Sequence, residues 1–141
     1  LAEVDARLYV LDCLPNLIAP AFSPNEVKKR LVTAIQVLQR KRPGVPILLT
    51  AHAGYADGGT NAVRRRQYED DNRALQETFD SLTAAGTKQL YLLSKLEIGM
   101  DIECMVDGTH PNDMGMLRYA EAYNKKIRAI LKRNFTAAGF H

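Results

Sequence analysis

Apolar residues crowd into three short runs and are spaced out elsewhere. Leu8-Tyr9-Val10-Leu11 is apolar at every position and gives way to Asp12 and Pro15-Asn16. Ile47-Leu48-Leu49 and Leu90-Tyr91-Leu92-Leu93 repeat the form. A run without alternation suits a strand covered on both faces, so strands are expected over 8–11, 46–50 and 89–93. Between the runs the spacing turns helical. Ser23-Pro24-Asn25-Glu26 supplies a cap, a first-turn proline and a capping-box acid. Val27, Leu31, Ile35 and Leu38 follow at helical intervals, and Lys41-Arg42-Pro43-Gly44 ends that helix. A second helix is expected over 62–84, with Tyr68, Leu75, Phe79 and Leu82 on one face and Gly86 as its stop. A last helix opens near Asn112 or Asp113. Its expected buried side carries Leu117, Ala120, Tyr123, Ile127, Ile130 and Leu131, with Lys125, Lys126 and Arg128 outside. Residues 95–106 read as irregular.

Strand and helix thus alternate three times, the signature of an α/β fold with a parallel sheet and right-handed crossovers. Reactive groups in such sheets gather in loops at the carboxyl ends of the strands. Residues 12–16, the glycine-rich loop 52–60 and the loop after Ser94 all fall there, which gives Asn16, His52 and His110 a chance to meet. No repeat, low-complexity tract or linker interrupts the chain, so residues 1–141 read as one domain. A purely parallel sheet of so few strands is small, and its first strand would be an apolar edge open to pairing. The sequence also begins at Leu1, inside a charged and apolar pattern. The expectation is that an N-terminal βα segment, or a partner chain, covers that edge.

Composition narrows the class. The 141 residues are 46% hydrophobic and 25% charged, close to the average soluble globular chain. A net charge of +3 is too mild to argue for nucleic acid, and Arg64-Arg65-Arg66 is offset by Glu69-Asp70-Asp71. No apolar run approaches the roughly 20 residues needed to span a bilayer. Cys13 and Cys104 are too few for a disulfide scaffold, and a bridge between them is left open.

The candidate chemistry centres on Asp107-Gly108-Thr109-His110-Pro111-Asn112-Asp113. A carboxylate this close to an imidazole can accept its Nδ1–H, fix the tautomer and raise the basicity of the other nitrogen. His110 is therefore the expected general base and Asp107 its orienting acid; the plain alternatives are a surface histidine and a turn aspartate. Asp113 is expected as a helix cap or first-turn acid. Ser23 looks like a cap, Ser81 lies within a helix and Ser94 ends a strand without the glycine-rich turn that a nucleophile uses. Cys13 is a conceivable replacement nucleophile with His110 and Asp107, although a cysteine at a strand end is commonly just buried. His52 and Asp57 lack the close spacing of metal ligands, so His52 and Tyr55 are read as loop residues lining a substrate cleft, and no metal or organic cofactor is implied. Arg64 and Arg65 look like ordinary helix-start residues. His141, at the chain end, is assigned no role.

Taken together, Asp-x-x-His at the opening of the final helix resembles the last sequence block of the SGNH (GDSL-type) hydrolases. Asp12-Cys13-Leu14-Pro15-Asn16 is similar to the block that closes an earlier strand of that fold, and the wording of both is nearest a bacterial GDSL-like subgroup. The resemblance covers nearly the whole chain. It implies an SGNH or flavodoxin-like three-layer sandwich and hydrolysis of small acyl esters, among them carbohydrate O-acetyl groups, by a Ser-His-Asp triad. Asp107 and His110 would be its acid and base, and Asn16 a donor to the oxyanion hole. It favours a secreted or periplasmic location. The family's Gly-Asp-Ser turn has no counterpart here, so the nucleophile is expected upstream of Leu1. A chain without a nucleophile could alternatively serve as a non-catalytic binding module.

Overall fold

The computed structural model describes residues 1–137. Three parallel strands, β1 (Tyr9–Leu11), β2 (Ile47–Thr50) and β3 (Leu90–Leu93), lie side by side in chain order. Tyr9 aligns with Ile47, and Ile47 with Leu90. The helices are α1 (Pro24–Lys41), α2 (Ala62–Ala84), the short α3 (Lys95–Ile98) and α4 (Asp113–Ala137), with 3-10 turns at Leu14–Asn16 and Ile102–Cys104. The expected strands and long helices are present, each strand one residue shorter at its start than anticipated.

The unbroken apolar run of β2 is explained by its two buried faces. Ile47 and Leu49 meet Val27, Leu31, Ile35, Ala74 and Leu75 from α1 and α2 on one side. Leu48 turns the other way, toward Leu93, Ile98, Ala122 and Ile130, where α3 and α4 pack. The result is three layers, helices over both faces of a parallel sheet. Both crossovers step in the same direction along the sheet, so right-handed connections place α1 and α2 on a common face. Leu48, Leu49 and Ile35 are fully buried, each contributing about 2 kcal/mol of apolar burial. At the first helix the anticipated signals are in place: Ser23 Oγ accepts the Glu26 N–H, Pro24 opens the helix and the Arg42 N–H closes it on Leu38 O.

Two expectations need correcting. Residues 95–106 are not simply irregular. Ser94 and Glu97 form a reciprocal capping box that starts α3, and Gly99 in the left-handed region ends it after one turn. On α4, Leu117 and Ala120 are exposed; the sheet-facing line runs through Gly115, Tyr119, Ala122, Tyr123, Ile127 and Ile130. Gly115 sets that rotation, because a Cβ there would sit 2.3 Å from the Cys104 carbonyl oxygen. Leucine drew the helical stripe in the sequence, whereas contact with backbone draws it in the structure.

Farther along α4, the Tyr123 phenol reaches the sheet's carboxyl edge. Its oxygen lies 2.7 Å from Asp12 Oδ2 and 2.9 Å from Thr50 Oγ1, tying the ends of β1 and β2 to the helix. The one phenolic proton goes to the carboxylate, leaving Thr50 to donate. Burial and the neighbouring Asp12 charge raise the phenol's pKa accordingly. Cys13 and Cys104 are free thiols, so the bridge left open by the sequence is not formed. Among the described residues β1 pairs only with β2, and Val10 on it is 36% exposed. No helix of the described residues is long and apolar enough to cross a membrane. His141 lies outside the described residues.

Candidate active site

The Asp107–His110 loop is held closed by its own residues. Asp107 Oδ1 accepts the backbone N–H of Thr109 and of His110, both at 2.9 Å. Its Oδ2 lies 2.7 Å from His110 Nδ1. A carboxylate receiving these donors is stabilised in its charged form, and they hold Asp107 well below the usual carboxylate range. Gly108, at φ +81°, provides the left-handed step that lets the chain fold back on the aspartate. Around this turn Met105 and Pro111 form an antiparallel bridge, and the Val106 N–H donates to His110 O. Asn112 then locks the exit. Its side-chain N–H donates to Glu103 O at 2.7 Å, and its Oδ1 accepts the Gly115 N–H at 3.0 Å, capping α4. Asp113 is the first-turn acid behind that cap. The imidazole is 75% exposed, with no described residue hydrogen-bonded to Nε2.

The loop after β2 is fastened to this one. The Ala56 N–H donates to Gly108 O at 3.0 Å. Arg64, near the start of α2, donates to Thr109 Oγ1 at 2.5 Å and more loosely to Gly108 O at 3.4 Å. The same guanidinium pairs with Asp57 at 3.1 Å and stacks on the Tyr55 ring at 4.0 Å. The residue that the sequence left as an ordinary helix-start arginine is thus the clasp between two loops. Its only sequence signal was proximity to Asn61, whose Oδ1 caps the helix through the Arg64 N–H.

Beneath the clasp lies His52, 4% exposed. Asn72 holds its backbone at both ends, accepting its N–H at 2.8 Å and donating to its carbonyl at 3.0 Å. The Gly54 N–H donates to Nδ1, which puts the ring proton on Nε2, a buried donor without a partner among the described residues. Tyr55 packs edge-on at 4.7 Å and Tyr68 stacks at 5.9 Å. Burial first, then the charges of Arg64 and Lys95, lower the imidazole to about 4, so it stays neutral near pH 7. His52 is therefore buried against Tyr55 and Tyr68 and makes no hydrogen bond to His110.

Asn16 ends the 3-10 turn immediately after β1, at the same sheet edge, and is exposed with no side-chain partner among the described residues. Cys13 precedes it, half-buried against the core beneath α1 and α2. Burial and the charge of Asp12 push its thiol pKa up, the opposite of what a thiolate nucleophile requires. Ser23 and Ser94 are occupied as caps. No group of three His, Cys, Asp or Glu among the described residues could hold a metal ion. The sequence reading put Asn112 at the opening of α4, Tyr123 on its buried side and Asp71 among the offsetting acids, but gave none of them a part in the site. Asp71 is 2% exposed, its Oδ2 without a hydrogen-bond partner among the described residues, on a helix whose polar composition gave no reason to bury it.

A three-layer α/β sheet with an aspartate-oriented histidine on a carboxyl-edge loop, and an exposed asparagine after a neighbouring strand, defines a class: the SGNH-like folds. The chain belongs to the GDSL-like Lipase/Acylhydrolase family, whose model matches residues 1–128. It is similar to a crystal structure from Bacteroides ovatus ATCC 8483, provisionally named a GDSL-like lipase. The two are 35% identical with a TM-score of 0.82, over 93% of this chain and 38% of that one. The salicylyl-acyltransferase of a tetracycline biosynthetic pathway shares the fold at 17% identity and a TM-score of 0.71, over 92% of this chain and 39% of its own. The chain thus spans about two fifths of the length of these structures. No curated protein matches it.

Proposed function

We propose that this chain carries the acid–base half of an ester hydrolase, cleaving small acyl esters through a Ser-His-Asp triad. The observation behind this reading is the 2.7 Å contact from Asp107 Oδ2 to His110 Nδ1, combined with an Nε2 that faces solvent. A neutral imidazole whose Nδ1–H is held by a carboxylate has its lone pair on Nε2, ready to take a hydroxyl proton. As the serine attacks the ester carbonyl, Nε2 accepts its proton and the Asp107 charge stabilises the imidazolium. The same proton then passes to the leaving alcohol, and water repeats the cycle to release the acyl group. Asn16 is the candidate donor to the tetrahedral oxyanion, a role worth roughly 3 kcal/mol in comparable sites. The serine is a residue other than Ser23, Ser81 and Ser94, which are caps or lie within a helix. The family match and its similarity to a GDSL-like lipase support acyl hydrolysis as the reaction type. A carbohydrate O-acetyl group is the substrate class the family resemblance suggests.

Treating the full-length protein with a fluorophosphonate and mapping the adduct by mass spectrometry tests this. The expected label is on a serine outside the three named, and His110→Ala should lower both labelling and turnover of 4-nitrophenyl acetate sharply, turnover by about 10⁶-fold, while the fold persists. Undiminished turnover in His110→Ala would exclude the assignment.

A further inference from the structure

Two cations stand at the sheet's carboxyl edge beside the candidate site, and only one of them is answered. Arg64 is spent on Asp57 and on the oxygens of Gly108 and Thr109. Lys95, two residues past the end of β3, has no acid and no hydrogen-bond acceptor on its ammonium among the described residues. Its side chain is half-buried, yet the ammonium stays within reach of solvent. The methylene chain lies on Gly54, where a Cβ would stand 2.8 Å from Cε and 3.6 Å from Nζ. Tyr68 flanks the same spot, with Nζ 5.6 Å from its ring centroid, inside cation–π range. The Tyr68 hydroxyl borders Gly58, where a Cβ would lie 3.3 Å from it, and it too lacks a hydrogen-bond partner among the described residues. An ammonium and a phenol, both donors, thus flank ground that two glycines keep clear. A half-buried cation gives up part of its hydration, and nothing on the chain itself offsets that loss.

The surroundings belong to the loops of the candidate site. Gly54 and Gly58 lie in the loop after β2, and Ala56, midway between them, donates its N–H to Gly108 O, two residues from His110. Gly54 and Ala56 are at most about 7 Å apart. The fields of Arg64 and Lys95 both reach His52, on which Tyr68 stacks, and no carboxylate is among the causes that hold that imidazole neutral. With Arg64 answered by Asp57, one unmatched positive charge is left on this wall. We propose that Lys95 and Tyr68 form a subsite for a carboxylate at the non-reacting end of an acyl ester, the ammonium supplying the charge and the phenol a second hydrogen bond. One free cation matches a monoanion, whereas a phosphate dianion is typically met by further charge or a guanidinium fork. Binding energy gained at such a remote group orients the ester without touching the reacting atoms. As a substrate subsite, the inference rests on the hydrolase reading above; as a carboxylate site, it stands on its own.

Calorimetric titration of the full-length His110→Ala protein, in which ester turnover is suppressed, separates the two. Monomethyl succinate should bind at least tenfold more tightly than methyl butyrate, which lacks the carboxylate. Lys95→Met in the same background should bring the two affinities together, and Tyr68→Phe should lower the preference by about threefold. Equal affinities for the two probes, tighter binding of inorganic phosphate than of monomethyl succinate, or a preference that survives Lys95→Met or Tyr68→Phe intact would each overturn the site. The first two outcomes need no change at Lys95 or Tyr68, so they decide the matter even if those variants fold poorly. With His110 in place, kcat/KM for 4-nitrophenyl hydrogen succinate should exceed that for 4-nitrophenyl butyrate by a similar ratio. Carboxylate binding without turnover of either ester would defeat the hydrolase reading alone, and turnover without carboxylate preference would defeat the subsite alone.

Discussion

Asp107 divides its work between two oxygens, one holding the backbone of its own turn and the other holding the His110 imidazole, the proposed base. Asp107→Asn keeps the first task and spoils the second, because an amide can no longer be relied on to accept the Nδ1–H. Once the imidazole proton moves to Nε2, the base is lost. Ester turnover is expected to fall by about 10⁴-fold with circular dichroism unchanged, and a fall below tenfold would refute the orienting role. Two other residues make opposite demands on pH. Asp71 is raised to about 6, by burial and then by Asp70, so the folded chain holds its proton over a range where the unfolded chain has released it. That contribution to stability falls as pH rises from about 4 to 6, by an amount on the order of 3 kcal/mol. His52, lowered to about 4, does the reverse: its contribution is complete above pH 6.5 and is lost on acidification toward 4. The two largely cancel between pH 4 and 6. Asp71→Asn should unmask the histidine, making the protein more stable than the parent at pH 8 and equal to it at pH 4 in urea titrations. His52→Gln leaves Asp71 unopposed, so its stability should rise on acidification from pH 6 to 4, where the parent's changes little. A stability gain in Asp71→Asn would also mean that the ionised acid is kept at an energetic cost, as functional groups commonly are.

At the scale of elements, α4 is set by what it lacks a side chain to avoid. Gly115→Ala would press a methyl group onto the Cys104 carbonyl, with Met100 and Pro111 also inside 3 Å. Backbone cannot yield as a flexible side chain does, so a destabilisation of about 1–3 kcal/mol in thermal unfolding is expected, with the Asp107 loop displaced. The same residue explains what was legible in the sequence. Repeated apolar runs and capping signals disclosed β1 to β3, α1 and α2, because period and punctuation are local properties. The helix face of α4 was misjudged at Leu117 and Ala120, since hydrophobicity carries no trace of a glycine docked on a carbonyl. α3 escaped notice because four residues are too few to show a period, although Ser94 and Glu97 had the spacing of a capping box. The Asp107–His110 contact was readable, its two residues being sequence neighbours. Arg64, Tyr123 and Asp71 were not, as their partners are long-range or, for Asp71, wanting.

Seen whole, the molecule is a sheet with one strand less well defended than the others. β2 is ladder-bonded on both sides, whereas β1 has β2 alone among the described residues. In the 141-residue chain expressed by itself, outward-facing amides of residues 9–11 should exchange with deuterium much faster than those of 47–50. Exchange over residues 9–11 as slow as over residues 47–50 would refute the open edge.

The turn bearing the histidine has a consequence in time as well as in space. Its contacts run almost wholly between residues 103 and 116, with Arg64 and the Ala56 N–H as the distant fastenings. Closing so short a loop takes on the order of 10–100 ns, far less than assembling a parallel sheet. In the proposed triad, acid and base would thus be in register early, before the hydroxyl they would serve is brought up. An ester meeting such a half-assembled molecule finds a base and nothing for it to deprotonate. First turnover would then report the last stage of folding rather than the first.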